Sequence, residues 1–183
     1  MGRDAEGGGV RAYLYGPLTR LGLIAAAIAC AIDQATKLWL LHGIDLAARV
    51  GYGKPYRLTP FLDLVLSWNT GISFSLFPQD TDFGRFVLLG LKTGAVVILW
   101  IWLARAESRL TALALGLIIG GALGNGIDRL AYGAVMDFVL FHIDTDSFKF
   151  TWYVFNLADA AIVAGVAGLL YESFLGGAAA KAP

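Results

Sequence analysis

The sequence predicts a mainly α-helical membrane protein with four spans and a small layer of paired strands outside the bilayer. Three observations lead there. Of the 183 residues, 57% are hydrophobic and only 15% charged, with a mean hydropathy of +0.66, outside the soluble globular range. Four apolar runs, 18–41, 86–104, 110–127 and 153–175, approach the roughly 20 residues that carry a helix across a bilayer. Finally, Leu62, Leu64, Leu66 and Trp68 alternate with Asp63, Val65 and Ser67, and Phe148, Phe150 and Trp152 alternate with Lys149, Thr151 and Tyr153. That period of two belongs to strands. The second strand is expected to pair with the first above the membrane surface.

Ahead of the first run, residues 1–17 are polar and glycine-rich, with Arg3 and Arg11, and read as a flexible tail. They do not resemble a cleavable signal peptide, because the apolar run behind them is too long. The first span carries Asp33, Gln34 and Lys37 in its second half. Asp33 and Lys37 stand four apart, share a helix face and are placed to pair, a contact that structure alone would also explain. Residues 42–84 form the longest segment between spans, with turn signals at Gly51, Gly53 and Pro55. The first strand there runs into Asn69 and Gly71. Gly71 permits close backbone approach and Asn69 offers both a donor and an acceptor, although ordinary turn chemistry accounts for both equally.

The second span is bracketed by Arg85 and Arg105, with Lys92 placed to snorkel outward. The third is rich in small residues (Gly116, Gly120, Gly121, Ala122, Gly124) that let helices approach closely. A domain at 18–175 and a small-residue tail at 176–183 complete the division. Four spans put both termini on one side. Arg3, Arg11, Arg20, Arg105, Arg109 and Lys181 fall on one face and Arg49, Lys54, Arg57, Arg85, Arg129 and Lys149 on the other. The count is tied, and only the greater weight of short segments leans it toward cytoplasmic termini.

Several chemistries are excluded. A net charge of +0 leaves no basic footprint for nucleic acid. The single cysteine, Cys30, forms no internal disulfide, and the two histidines, His42 and His142, read as interfacial or loop residues rather than metal ligands. Neither histidine has an obvious nucleophile, which argues against Ser-His and Cys-His hydrolysis.

What remains is a set of carboxylates and amides that the four-span topology gathers at one membrane face. Asp33 and Lys37 lie in the half of the first span nearest that face, and Asn69, Gly71 and Asp137 in loops on it. Asp128 stands where the third span leaves the membrane, and Asp159 about two turns into the fourth. Asn125 and Asn156 precede Asp128 and Asp159 by three residues, on the same helix faces. An acid beside hydrocarbon is a functional candidate by default. Two acids in a partly dry site do not both ionise easily; one keeps a proton while the other acts as base. That pair can activate water and protonate a leaving amine. Asp128 adjoins Arg129, whose charge would keep it ionised and structural, whereas Asp137 sits among Val135, Met136, Phe138 and Val139, and Asp159 in an apolar helix. These surroundings favour Asp137 with Asp159 over pairs that include Asp128, without eliminating the latter.

Five blocks, DQATK at 33–37, NTGISFS at 69–75, GNGIDR at 124–129, GAVMDF at 133–138 and FNLADA at 155–160, resemble the bacterial lipoprotein signal peptidases (signal peptidase II). Order and spacing fit across roughly 20–175. One departure is that Ile72 and Ser73 replace the small residues usual after the family's Asn-x-Gly. The resemblance implies a four-helix aspartic endopeptidase of the bacterial inner membrane with a small extracytoplasmic β-layer and an interfacial helix. It would cleave prolipoproteins just before a cysteine carrying diacylglycerol, with no metal or organic cofactor, with cytoplasmic termini and with its site at the outer leaflet. Its partners would be these precursors and membrane lipids, and it would act as a monomer. Carried onto this chain, the catalytic pair falls on Asp137 and Asp159. Asn69, Gly71, Asn125, Arg129 and Asn156 match the groups that bind substrate or support the dyad, and Asp33, Lys37 and Asp128 the polar support. The 42–84 loop, including 77–80, would close over the peptide. Rival readings are a small proton-coupled transporter, which the absence of an inverted repeat disfavours, and a scaffold whose acids only lock helices together.

Overall fold

The computed structural model describes residues 14–50, 55–70 and 94–179, with side chains through 174. Outside these lie most of the N-terminal tail, the turn at Gly51 and Gly53, Gly71 with Ile72 and Ser73, the 77–80 segment, the start of the expected second span with Arg85 and Lys92, and the last four residues.

Among the described residues, three helices are long and apolar enough to cross a membrane. Helix α1 (Thr19–Leu38) begins where the Thr19 hydroxyl accepts the Gly16 N–H at 2.8 Å. It runs on into one π-helical turn, Trp39–Gly43, so the apolar segment matches the expected first span. A short helix α2 (Leu46–Arg49) follows, capped by Asp45 in the left-handed region at φ 49°. The described part of the second expected span is an apolar helix, α3 (Gly94–Ala104). Helix α4 (Arg109–Tyr132) is capped by Ser108, whose Oγ accepts the Thr111 N–H at 3.0 Å, and stops at Gly133 with φ 73°. Only glycine takes that conformation at little cost. Helix α5 (Leu157–Ala179) closes the chain.

Helix α4 lies between α1 and α5 and packs on both. The small residues of the third span make this possible. A Cβ at Gly116 or Gly120 would strike the backbone of Gly22 or Ala26 in α1, and one at Gly121 would strike the Ala158 carbonyl in α5. Close backbone approach of this kind holds helices together where lipid removes the hydrophobic drive. Below it, Ala26, Leu103, Ala112, Leu115 and Ile119 form an apolar core.

Among the described residues, four strands form one antiparallel sheet in the order β1 (Tyr56–Arg57), β2 (Leu62–Asn69), β3 (Val135–Asp144), β4 (Lys149–Thr151). The β2 expectation holds. The second expected strand shrinks to β4 and pairs with β3 rather than with β2. The missing partner is β3, the stretch taken for a connecting loop around Asp137. Its Val-Met-Asp-Phe-Val-Leu-Phe run hides the period of two because it is buried on both faces over Val135–Phe138. Met136 and Phe138 join Leu40, Leu46, Val50 and Leu64 in a second core, which seats the sheet on the end of α1.

Two further expectations change. Helix α4 runs to Tyr132, so Asp128 and Arg129 lie inside its last turns rather than at its exit. Helix α5 begins at Leu157, so Asp159 stands in its first turn rather than two turns in. His142 is not a loop residue: it is buried in β3.

Candidate active site

Strand β3 is the bench on which the polar residues are assembled. On one side β2 ends at Asn69, whose Nδ2 donates to Asp137 Oδ2 at 3.1 Å. On the other, the chain beyond β4 keeps pairing with β3, with the Val139 N–H donating to the Phe155 carbonyl at 2.8 Å and the Phe155 N–H to the Val139 carbonyl at 3.0 Å. That pairing delivers Asn156 beside Asp137, and Asn156 Nδ2 donates to Asp137 Oδ1 at 2.7 Å.

The turn into α5 then places the second acid. Asn156 Oδ1 accepts the Asp159 N–H at 3.0 Å, while Asp159 Oδ2 accepts the Asn156 N–H at 3.3 Å. This reciprocal box satisfies donors that a helix N-terminus otherwise leaves unpaired. It also places a carboxylate where the helix dipole favours negative charge. Asn125 of α4 completes the link: its Nδ2 donates to Asp159 Oδ1 at 2.8 Å, and its Oδ1 accepts from Asn156 Nδ2 at 3.0 Å. Asp137 and Asp159 are thus joined through two amides, Asn156 and Asn125, with no cation bonded to either carboxylate among the described residues.

Behind this group sits a different arrangement. Lys37 Nζ lies 2.7 Å from Asp33 Oδ2 and 2.8 Å from Asp128 Oδ2, and all three residues are buried. Each acid also grips the site. Asp33 Oδ1 accepts the Ala158 N–H at 3.0 Å, fixing the start of α5. Asp128 Oδ2 accepts the Met136 N–H at 3.0 Å, fixing β3 one residue from Asp137. Lys37 also reaches Asn125 Oδ1 at 3.4 Å. The expected Asp33–Lys37 pair is therefore present, but Asp128 is braced by Lys37 rather than by Arg129, whose Nη1 donates to the Asn125 carbonyl at 3.2 Å. On a helix, residues adjacent in sequence do not face one another, whereas Lys37 faces Asp128 across the α1–α4 contact.

Gln34 belongs to the same assembly and was not singled out beforehand. Its Nε2 donates to Asp128 Oδ1 at 2.8 Å and to the Gly124 carbonyl at 3.0 Å. The available signal was its spacing of three from Lys37. Gly124 is required beside it, because a Cβ there would stand 2.7 Å from Asp33 Oδ2. Gly71 lies outside the described residues.

Burial pushes the Asp137 carboxyl above its ordinary value, and the charge of Asp159 pushes it further, against the Asn69 and Asn156 amides and the Lys37 charge. A carboxyl raised in this way beside a second acid is a combination suited to general acid–base hydrolysis.

The family model described as signal peptidase (SPase) II matches residues 25–175, a range that contains every residue of this assembly. The chain belongs to the signal peptidase II family. A lipoprotein signal peptidase of Nitrobacter hamburgensis is 58% identical over 164 residues, covering 90% of this chain and 98% of the relative. One from Rhodopseudomonas palustris is 55% identical with the same coverage. A bacterial membrane enzyme solved at 2.3 Å resolution superposes with a TM-score of 0.62 at 25% identity, covering 89% of this chain and 92% of that one. As a signal peptidase II family member the chain is a peptidase, and its carboxylate-and-amide assembly stands at the end of membrane-length helices.

Proposed function

We propose that this chain is an aspartic endopeptidase of the bacterial cytoplasmic membrane that removes signal peptides from diacylglyceryl-modified prolipoproteins, cutting just before the modified cysteine. Asp137 and Asp159 are the catalytic pair. The observation that carries the reading is their linkage through Asn156 and Asn125, with a raised carboxyl on Asp137. In this mechanism Asp159 takes a proton from water as its oxygen attacks the scissile carbonyl. Asp137 gives its proton to the carbonyl oxygen, forming a neutral gem-diol. On collapse, Asp159 passes its proton to the departing amine and a diol hydroxyl returns one to Asp137, restoring both acids. Asp and Asp supply acid and base between them, so the reading invokes no metal or organic cofactor.

The amides Asn69, Asn125 and Asn156 orient the pair, and Gly71 and Arg129 are assigned to substrate binding or dyad support. Asp33, Lys37 and Asp128 hold the elements that carry the acids. The reading takes four crossings with both termini cytoplasmic, an interfacial helix, the site at the outer leaflet and a monomeric enzyme. A diacylglyceryl anchor would hold the scissile bond at that depth and make encounter a two-dimensional search. The test is incubation of purified protein with lipid-modified and unmodified precursor. Cleavage of the first alone is expected, and equal cleavage of both would overturn the substrate assignment.

A further inference from the structure

Trp68 and Tyr132 take no part in the mechanism above, yet their rings meet beside it. The ring centroids stand 5.3 Å apart at an interplanar angle of 54°, within the spacing at which aromatic pairs attract. Trp68 directly precedes Asn69 in β2, and Tyr132 is the last residue of α4. Both are half-exposed, at 41% and 47%, so the contact lies at the rim of the molecule rather than in its core.

The pairing of β2 with β3 shows what this contact holds. Its register shifts between Leu64 and Ser67, which leaves three rungs at the site end. Ser67 lies opposite Asp137, Trp68 opposite Met136 and Asn69 opposite Val135. An irregularity of this kind disrupts the ladder locally, and β2 stops at Asn69, so the site end is a short piece of ladder. Side chains alternate between faces along a strand, and residues diagonal across a rung stay within reach of one another. Asn69 and Asp137 are diagonal across the Trp68–Met136 rung and share a face, where Asn69 Nδ2 meets Asp137 Oδ2 at 3.1 Å.

Helix α4 grips both members of that rung. Asp128 Oδ2 accepts the Met136 N–H at 3.0 Å, and Tyr132 meets the Trp68 ring. Asp128 and Tyr132 are four apart and share a helix face. On the β3 side the grip is reinforced by the chain itself, since only Gly133, Ala134 and Val135 separate Tyr132 from Met136. Strand β2 has no such tether in the chain, and the ring contact supplies one.

We propose that Trp68 and Tyr132 are positioning residues: their ring contact fastens the last rungs of β2 to the end of α4 and so keeps Asn69 on Asp137. The proposal rests on the reading of Asn69 and Asp137 as active-site groups, so its test includes a readout independent of cleavage. In the full chain with Cys30→Ser, spin labels on Thr70→Cys and Leu130→Cys, both exposed, report the distance from the end of β2 to α4. The parent should give a narrow distribution of distances, which Trp68→Ala or Tyr132→Ala should broaden. Trp68→Phe and Tyr132→Phe, which keep a ring on each side, should leave it narrow.

Without the labels, each alanine variant should lower kcat on a lipid-modified precursor by about two- to tenfold with KM little changed. That is the range a lost aromatic pair corresponds to, and misplacement acts on the chemical step. The two alanine replacements together should lose no more than the worse one alone, and neither should cost much further in an Asn69→Ala background. The fall in rate at high pH should also move upward, as it should for Asn69→Ala, because the Asn69 amide pulls the Asp137 carboxyl down. Asp159 and Lys37, whose charges also act on Asp137, are untouched by either replacement. An unchanged distance distribution, a kcat loss undiminished in the Asn69→Ala background, or a lower rate with the alkaline limb in place would overturn the proposal. If Asn69→Ala itself leaves cleavage and its pH dependence untouched, the active-site reading fails, while the spin labels still decide whether the rings fasten β2.

Discussion

Two groups of acids share one end of this molecule, and the contrast between them supports the roles proposed for them. Asp33 and Asp128 are bound to a buried lysine within 2.8 Å. Among the described residues, Asp137 and Asp159 receive only amide donors, from Asn69, Asn125 and Asn156. Asp33 and Asp128 each also hold a backbone N–H, Asp33 that of Ala158 and Asp128 that of Met136, so both are committed to fixing α5 and β3. No cation is bonded to Asp137 among the described residues. Acid–base turnover requires a carboxyl that can gain and lose a proton in place, and the absence of a bonded cation among the described residues supports the amide-bound pair for the proposed role.

The sharpest way to break the contrast is to neutralise one acid in each group. Asp137→Asn and Asp159→Asn should each lower cleavage by about 10²–10⁴-fold, the usual contribution of a general acid or base. Folding should persist, because amides accept and donate among amides. Folded variants that process lipid-modified precursor at the normal rate would remove Asp137 and Asp159 from the chemistry. Lys37→Met attacks the other group. It leaves two buried acids without their cation, and breaking a buried ion pair costs about 3–5 kcal/mol. Thermal unfolding in detergent should show the loss. A Tm within a degree or two of the parent would mean that Lys37 holds little.

The same contrast explains what the sequence could and could not reveal. Three of the four expected spans were legible as membrane-length helices among the described residues, because apolar runs of that length leave few alternatives, and α1 lies close to its expected bounds. The Asp33–Lys37 contact was legible because it is local, four residues apart on one helix. The partner of Asp128 was not, because Lys37 meets it across a helix–helix contact that no spacing within α4 encodes. Strand β3 was missed for a related reason: buried on both faces, its first residues carry no alternation to read. With it went the recognition that Asp137 lies on a strand between Asn69 and Asn156. Asp159 was placed too deep because the start of α5 is set by Asn156, whose capping role depends on tertiary pairing of Phe155 with β3.

A smaller perturbation tests the seam where the two groups touch. Gly124→Ala would put a Cβ 2.7 Å from Asp33 Oδ2. Asp33 has little room to retreat, since it holds both Lys37 and the Ala158 N–H. Overpacking of this kind typically costs about 1–3 kcal/mol, and displacement of the α5 start should reach Asp159. A fall in both Tm and kcat is expected. A fall in Tm with kcat intact would show that the ion cluster supports the fold without tuning the dyad.

The finest distinction is electrostatic and lies within the amide-bound pair. Burial and the Asp159 charge raise Asp137, whereas the Asn69 amide pulls it down. Cleavage should therefore decline as pH rises through the range where the pair loses its shared proton, a macroscopic step that belongs to both acids. Asn69→Ala removes a donor that favours the charged carboxylate. The protonated form then persists to higher pH, so the alkaline limb should move upward even as the maximal rate falls. The sign is the useful part. If Asn69 served only to shape the pocket, the maximum would drop and the limb would stay in place. If Asp137 were the group that must be ionised, losing Asn69 would instead move the acidic limb upward. A pH–rate series on the parent and on Asn69→Ala, with chemistry limiting, separates these outcomes and fixes which of the two acids carries the proton.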